Sequence, residues 1–145
     1  MPGIIVGIDG SDGAHRALEW AMKEAAARHA ALTVVTVHPV AASVWTGQPI
    51  ILPPDEPAME KVRHAAEESV AKATAGLGES QPLSVTVRAV NGVPAQELIE
   101  ASRYADLLVV GSRGGGGFAR LMMGSVSDQV ARHAYCPVVV VPGQR

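Results

Sequence analysis

The chain has 145 residues, of which 48% are hydrophobic, together with a formal net charge of −2 and a single cysteine. A chain of this length and apolar content is expected to form one domain, residues 1–145, around a single core. The small net charge gives no electrostatic signal for binding to nucleic acid or to an anionic membrane surface, and one cysteine excludes an internal disulfide.

The start of the chain, Met-Pro-Gly-Ile-Ile-Val, lacks the basic segment of a secretory signal. No apolar run in the sequence approaches the roughly 20 residues that are needed to cross a bilayer. Cys136, which precedes a proline and an apolar strand, is interpreted as an inert buried thiol and suits a reducing compartment. These features predict a cytoplasmic protein without a membrane anchor.

Short apolar runs alternate with helical patterns along the chain. Five of these runs are rich in β-branched residues and nearly continuous, as strands that are covered on both faces are. The predicted strands are Ile4–Ile8, Leu32–Val37, Leu83–Val90, Leu107–Val110 and Val138–Val141.

Four amphipathic helices are predicted between these strands. The first follows a candidate N-cap, Ser11 or Asp12, and the second begins at Pro57. Pro94 and Ser125 begin two shorter helices. The apolar stripe of the first helix is Ala14, Ala17, Leu18, Ala21, Met22 and Ala25, and that of the second is Met59, Val62, Ala65, Ala66, Val70 and Ala73.

The order βαβαβαβαβ predicts an α/β fold with a single open, mainly parallel five-stranded sheet and helices on both faces. In such sheets ligands bind beyond the carboxyl ends of the strands, where the strand order reverses. The turn Asp9–Gly13 and the loop Gly111–Gly124 both leave from that edge. They are expected to meet if the first and fourth strands are central.

The segment Gly111–Ser127 combines glycines at 111, 114 and 124 with a serine directly after the last. Glycine lets an anion approach the main chain closely, and the first turn of a helix has backbone donors without intrahelical partners. The helix dipole also favours negative charge there. The segment is therefore predicted to bind phosphate. A flexible linker is the alternative, which Gly114–Gly117 alone would suggest.

The spacing Gly111-x2-Gly114-x9-Gly124-Ser125 is similar to the ATP-binding signature of the universal stress protein family. The run Ile4–Ser11 resembles the first strand and acidic turn of that family, and Cys136–Val141 resembles its last strand. The resemblance implies one universal stress protein domain with a Rossmann-like fold, similar to the adenine nucleotide alpha hydrolases. It also implies the strand order 3-2-1-4-5, which places strands one and four side by side.

The resemblance further implies a site for ATP. We expect Mg²⁺ as a companion ion and AMP or cyclic AMP as alternative nucleotides. Ile8 and Val37 are expected beside the base, and Gly111 near the ribose. Arg113 either supplies positive charge to the phosphates or lies in solvent. The predicted nucleotide-binding residues are Ile8, Asp9, Gly10, Val37, Gly111, Arg113, Gly114, Gly124, Ser125, Val126 and Ser127.

Asp9 directly follows the first strand, where a carboxylate near phosphate needs a hydroxyl or a metal because like charges repel. Three roles stay open for it. Asp9 accepts from the ribose hydroxyls, holds Mg²⁺ against the phosphates, or forms an Asx turn that opens the first helix. Asp9 is the one residue assigned to a metal.

The predicted function is a nucleotide-dependent stress-response or signalling module that binds ATP with little or no turnover. The sequence contains no Gly-x4-Gly-Lys-Ser/Thr loop, so the lysine with which P-loop enzymes hold phosphate is missing. The alternative is a slow nucleotide hydrolase or adenylyl-type enzyme of the adenine nucleotide hydrolase superfamily. No catalytic residue is assigned.

The last predicted strand, formed by Val138, Val139, Val140 and Val141, is followed by no predicted helix that would cover its edge. An edge strand presents unpaired backbone groups to which another chain can pair. A two-fold antiparallel pairing would close both edges, so we expect a homodimer through this strand, as the resemblance also implies.

Overall fold

The computed structural model describes residues 3–39, 42–43, 50–51, 56–112 and 124–143. These residues form seven strands and four α-helices. The strands are β1 (Gly3–Ile8), β2 (Ala31–Pro39), β3 (Ala42–Ser43), β4 (Ile50–Ile51), β5 (Ser84–Gly92), β6 (Ala105–Gly111) and β7 (Val138–Val141). The helices are α1 (Asp12–Arg28), α2 (Glu56–Ala75), α3 (Pro94–Ala101) and α4 (Ser125–His133), and a 3₁₀ turn, Ser102–Tyr104, precedes β6.

Five strands form one sheet in the order β5-β2-β1-β6-β7, and each neighbouring pair is parallel. This is the predicted order 3-2-1-4-5, so the predicted α/β fold class is confirmed. β1 is central, since Val6 pairs with Val34 of β2 on one side and with Val109 of β6 on the other. β3 and β4 form a separate antiparallel pair that the sequence did not predict.

Two apolar clusters cover the two faces of the sheet. Val6 and Ile8 of β1 face the cluster that includes α1 and α2, whereas Ile5 faces the cluster that includes α3 and α4. Leu18 of α1 is fully buried in the first cluster, and Val130 of α4 is fully buried in the second. The β1 strand is therefore apolar on both sides because helices cover it on both sides.

The apolar stripe of α1 is confirmed, because all six of its predicted members are buried. In α2, Ala66 and Ala73 are buried as predicted, but Ala65 is exposed, so that assignment was wrong. α2 packs against the edge strand β5 and its neighbour β2, and it buries a narrower side than the sequence pattern suggested.

β5, the third of the five predicted strands, begins one residue later than predicted. Leu83 is 61% exposed and precedes β5, so its place in a buried strand was wrong. Its N–H still donates to the carbonyl oxygen of Ala30 at 3.0 Å. Leu83 lies just before an edge strand, where an apolar residue need not be covered. No helix within the described ranges is long and apolar enough to cross a membrane.

Candidate functional site

The turn after β1 and the segment after β6 start side by side at the carboxyl edge of the sheet, because β1 and β6 are adjacent and parallel. Gly111, the last residue of β6, lies directly against the backbone of Gly13 in the first turn of α1. The structure therefore brings the Asp9–Gly13 turn and the start of the glycine-rich segment together. This edge is the topological switch point of the sheet, where ligands of open α/β proteins bind.

Asp9 is exposed and forms an Asx turn. Its Oδ1 atom accepts hydrogen bonds from the backbone N–H of Ser11 at 3.0 Å and from the Ser11 hydroxyl at 2.6 Å. The Ser11 hydroxyl in turn accepts from the N–H of Ala14 at 3.2 Å and caps α1. Gly10 between them has a φ of +85°, a conformation that favours glycine. The Asx-turn interpretation is therefore confirmed, while the ribose and Mg²⁺ roles of Asp9 stay predictions.

Two hydrogen bonds join the ends of the glycine-rich segment. The N–H of Gly124 donates to the carbonyl oxygen of Ser112 at 2.6 Å, and the Ser127 hydroxyl donates to the same oxygen at 2.8 Å. Ser127 is 2% exposed, and its hydroxyl also lies 3.0 Å from the carbonyl oxygen of Gly124. Sequence reasoning missed Ser112, because a backbone carbonyl is common to every residue and leaves no signal in the residue type.

The start of α4 lies at this junction. Gly124 is the N-cap residue and has an extended backbone, with a φ of −65° and a ψ of 159°. Ser125, Val126 and Ser127 follow, and the first amides of a helix have no intrahelical acceptor. Asp128 of the same turn is ion-paired with Arg132, with 3.1 Å between its Oδ1 and the arginine Nε. The helix start therefore offers backbone donors to an anion.

Ile8 and Val37 lie on opposite faces of the sheet. Ile8 is 8% exposed and packs in the cluster with α1 and α2, whereas Val37 is half-buried against the cluster with α3 and α4. Ile8 pairs with Thr36, one residue before Val37, and successive side chains of a strand point to opposite faces. The two side chains predicted beside the base are therefore not brought together. Arg113 and Gly114 lie outside the described residues.

A cavity of about 250 Å³ opens beside the β1–α1 turn, on the side of α1 and α2. The buried side chains of Ile8 and Leu18 are among its apolar lining residues. His15, which belongs to its polar part, has its Nε2 atom 3.1 Å from Oε1 of Glu19. The other lining residues are Gly10, Ser11, Asp12, Ala14, Ser69 and Lys72.

Within the part of the chain that the structure describes, no group of three or more His, Cys, Asp and Glu side chains is placed to hold a metal ion. Asp9 supplies one exposed carboxylate at the carboxyl edge. Magnesium sites commonly combine one or two carboxylates with phosphate oxygens of the ligand and water. Asp9 fits that arrangement only together with a bound phosphate.

This architecture defines an α/β protein of the Rossmann-like class, with its candidate ligand site at the carboxyl edge of the sheet. The family model for the universal stress protein family matches residues 2–142. The chain belongs to the universal stress protein family.

Curated relatives support this assignment. A universal stress protein of Mycolicibacterium smegmatis is 37% identical over 142 residues, which are 97% of this chain and 48% of the relative. A universal stress protein of Mycobacterium tuberculosis is 36% identical over 141 residues, which are 96% of this chain and 47% of the relative. The chain spans about half the length of the curated relatives it matches.

Solved structures share the architecture. The crystal structure of a universal stress protein in complex with cAMP is similar with a TM-score of 0.68 and 29% identity, covering 97% of this chain and 96% of that chain. The universal stress protein UspA from Lactobacillus plantarum has the same fold, with a TM-score of 0.68 and 22% identity, and 97% of each chain is covered.

Proposed function

We propose that this chain is a single adenine-nucleotide-binding domain that takes ATP with Mg²⁺ and acts as a stress-response or signalling module with little or no turnover. The observation that supports the proposal is the close approach of Gly111 to Gly13 at the carboxyl edge, next to the hydrogen bond between Gly124 and Ser112. A similar protein, 29% identical, has been crystallised in complex with cAMP. AMP and cyclic AMP are the alternative nucleotides.

The phosphates are assigned to the start of α4. Its first amides and the helix dipole favour an anion. Ser125 and Val126 contribute backbone N–H groups, and Ser125 is exposed enough to add its hydroxyl. The hydroxyl of Ser127 is engaged with Ser112, so Ser127 contributes its backbone N–H. The roles of Arg113 and Gly114 rest on the sequence.

Asp9 is assigned to the ribose or to Mg²⁺ through Oδ2, since Oδ1 already accepts from Ser11. The ion would neutralise phosphate charge beside this carboxylate. The Asx turn holds the carboxylate at the end of β1, and this fixed position lowers the ordering cost of binding.

The base is assigned to the Ile8 side of the sheet, where the cavity beside α1 opens. A volume of about 250 Å³ is below the roughly 300–1,000 Å³ of pockets that bury drug-sized ligands, which suits one ring system rather than a whole nucleotide. Val37 lies on the other face and would contribute its backbone rather than its side chain.

A second copy of the chain is the proposed partner. β7 ends the described sheet and, among the described strands, pairs only with β6. All four valines of β7 are half-buried. Antiparallel pairing of two such strands around a two-fold axis would satisfy the edge backbone groups of both copies.

Isothermal titration calorimetry with ATP, AMP and cyclic AMP, each with and without Mg²⁺, tests the proposal. We expect saturable binding of one nucleotide per chain, with ATP affinity raised by Mg²⁺. The absence of binding for all three nucleotides at millimolar concentration would refute it. Phosphate-release assays address the enzymatic alternative, because turnover faster than about one per second lies in the usual range of enzymes.

A further inference from the structure

Ser112, the residue after β6, is hydrogen-bonded both to the start of α4 and to the end of β7. Its carbonyl oxygen accepts from the Gly124 N–H at 2.6 Å and from the Ser127 hydroxyl at 2.8 Å. Its own N–H donates to the carbonyl oxygen of Val141 at 2.9 Å, and its hydroxyl accepts from the Gly143 N–H at 3.2 Å. The two residues that bound the segment 113–123 are therefore hydrogen-bonded to each other.

Ser127 has a buried hydroxyl in the first turn of a helix that offers donors to anions. A serine hydroxyl carries one hydrogen, and here that hydrogen is directed to the carbonyl oxygens of Ser112 and Gly124. The side chain is 2% exposed. Ser127 therefore cannot donate its hydroxyl to a phosphate while the junction is intact.

We infer that Ser127 is a positioning residue for the nucleotide: its hydroxyl ties the start of α4 to the end of β6 and thereby fixes the phosphate-binding amides. This inference rests on the proposed nucleotide binding. The Gly124 N–H attaches the start of α4 to the Ser112 carbonyl oxygen at one position. The Ser127 hydroxyl donates to the same oxygen from a second position, which also restricts rotation of the helix start. Donors that are held in place before binding cost less ordering entropy when the anion arrives.

Ser102 provides a matched control. Its hydroxyl is fully buried, donates to the carbonyl oxygen of Ile99 and accepts from the N–H of Tyr135 at 2.9 Å. It precedes β6 and so lies at the opposite edge of the sheet from Ser112, which follows β6. Ser102→Ala therefore removes a comparably buried hydroxyl, with both of its hydrogen bonds, at a distance from the proposed site.

The experiment measures ATP affinity by calorimetry on the full chain for Ser127→Ala, Ser127→Thr and Ser102→Ala, with circular dichroism to verify folding. We expect Ser127→Ala to bind ATP about tenfold more weakly, the equivalent of one lost hydrogen bond. Ser127→Thr keeps the hydroxyl and is expected to restore the affinity of the unmodified chain, and Ser102→Ala is expected to leave it unchanged.

The possible outcomes separate the two proposals. Unchanged ATP affinity in Ser127→Ala, an equal loss in Ser102→Ala, or no rescue by Ser127→Thr would overturn the positioning role and leave nucleotide binding intact. No binding of ATP, AMP or cyclic AMP by the unmodified chain would overturn the proposed function and the positioning role together. If Ser127→Ala does not fold, Ser127→Cys, a weaker donor, is expected to give intermediate affinity, and an undiminished affinity there would overturn the inference.

Discussion

Gly111 lies so close to Gly13 that a Cβ atom at position 111 would stand 2.9 Å from the Gly13 carbonyl oxygen. The carbonyl carbon of Gly13 would be 3.1 Å away, so the atoms in conflict belong to the backbone and cannot rotate out of the way. Through this contact the first turn of α1 packs against the end of β6. Glycine at position 111 is thus required for this packing, independently of its predicted place near the ribose.

Gly111→Ala is expected to lower the free energy of unfolding by about 1–3 kcal/mol, the usual cost of forcing an extra methyl group into a packed site. Urea denaturation monitored by circular dichroism measures the change. Gly76→Ala is the control, because a Cβ there meets no atom closer than 3.6 Å. Equal stability of the Gly111→Ala protein and the unmodified chain would show that the two backbones can move apart at no cost.

Asp9 combines a structural and a proposed ligand role, and two substitutions separate them. Asn keeps the side-chain oxygen that accepts from Ser11 but removes the negative charge, whereas Ala removes both. Asp9→Asn is expected to retain the stability of the unmodified chain and to lose the Mg²⁺ dependence of ATP binding. Asp9→Ala is expected to lose that dependence and also about 1 kcal/mol of unfolding free energy.

Calorimetry with and without Mg²⁺, paired with urea denaturation, distinguishes these results. A Mg²⁺ effect that persists in Asp9→Asn would contradict a metal role for the carboxylate. A stable Asp9→Ala protein would instead show that the Ser11 cap of α1 does not depend on the Asx turn.

The sequence predicted most of the fold because helix and strand periods are local properties. The six buried residues of α1 recur at helical spacing and carry small or flexible side chains, so their shared face is visible without knowing what covers it. The continuous apolar runs likewise indicated β1 and β6 as strands covered on both faces. The same prediction was wrong for β5, in which exposed and half-buried residues alternate along the first half of the strand. The predicted burial of Ala65 and Leu83 was wrong, because burial at these positions depends on how far a neighbouring element extends. Residue spacing within one element does not encode that extent.

The site was less predictable, because it depends on register and on backbone atoms. Ile8 and Val37 are both apolar residues at strand ends, but their faces follow from the pairing of Ile8 with Thr36. A shift of that register by one residue would place both side chains on the same face. The hydrogen bonds that join Ser112 to the start of α4 use its backbone carbonyl oxygen, which residue type does not reveal. The Ser127 hydroxyl donates to that oxygen, whereas the sequence had suggested that it would bind phosphate.

Cys136 is half-buried and precedes β7. Burial, and to a lesser extent the nearby Asp106 carboxylate, raises the pKa of the Cys136 thiol above its ordinary value. The thiolate is the reactive form, so less of it is present at a given pH and alkylation is slower. The rate of iodoacetamide alkylation is therefore expected to rise at a higher pH than in the unfolded chain.

Asp106→Asn removes the smaller of these two causes and is expected to shift the alkylation profile to lower pH. Glu79→Gln removes an exposed carboxylate in the turn after α2 and is the control. An unshifted profile in Asp106→Asn would leave burial as the whole cause.

The proposed homodimer through β7 predicts a dimeric sedimentation coefficient at tens of micromolar in analytical ultracentrifugation. Val140→Lys places a charge on the half-buried edge strand, and in a two-fold pairing the like charges of both copies would approach each other. We expect this variant to sediment as a monomer. Val93→Lys, at a position that is 50% exposed before α3, is expected to remain dimeric. A monomeric unmodified chain would exclude the assembly.

Gly124→Asp tests whether the start of α4 is the phosphate site. Gly124 has an extended N-cap backbone that any residue can adopt, and aspartate is a favoured N-cap, so α4 is expected to keep its stability. The new carboxylate would accept from the first amides of α4 and place a negative charge where a phosphate would bind. ATP binding is therefore expected to fall below detection, while Gly124→Asn, which caps without charge, is expected to retain weakened binding. Calorimetry measures both affinities and thermal unfolding measures stability, and an undiminished ATP affinity in a folded Gly124→Asp protein would show that the phosphates bind elsewhere.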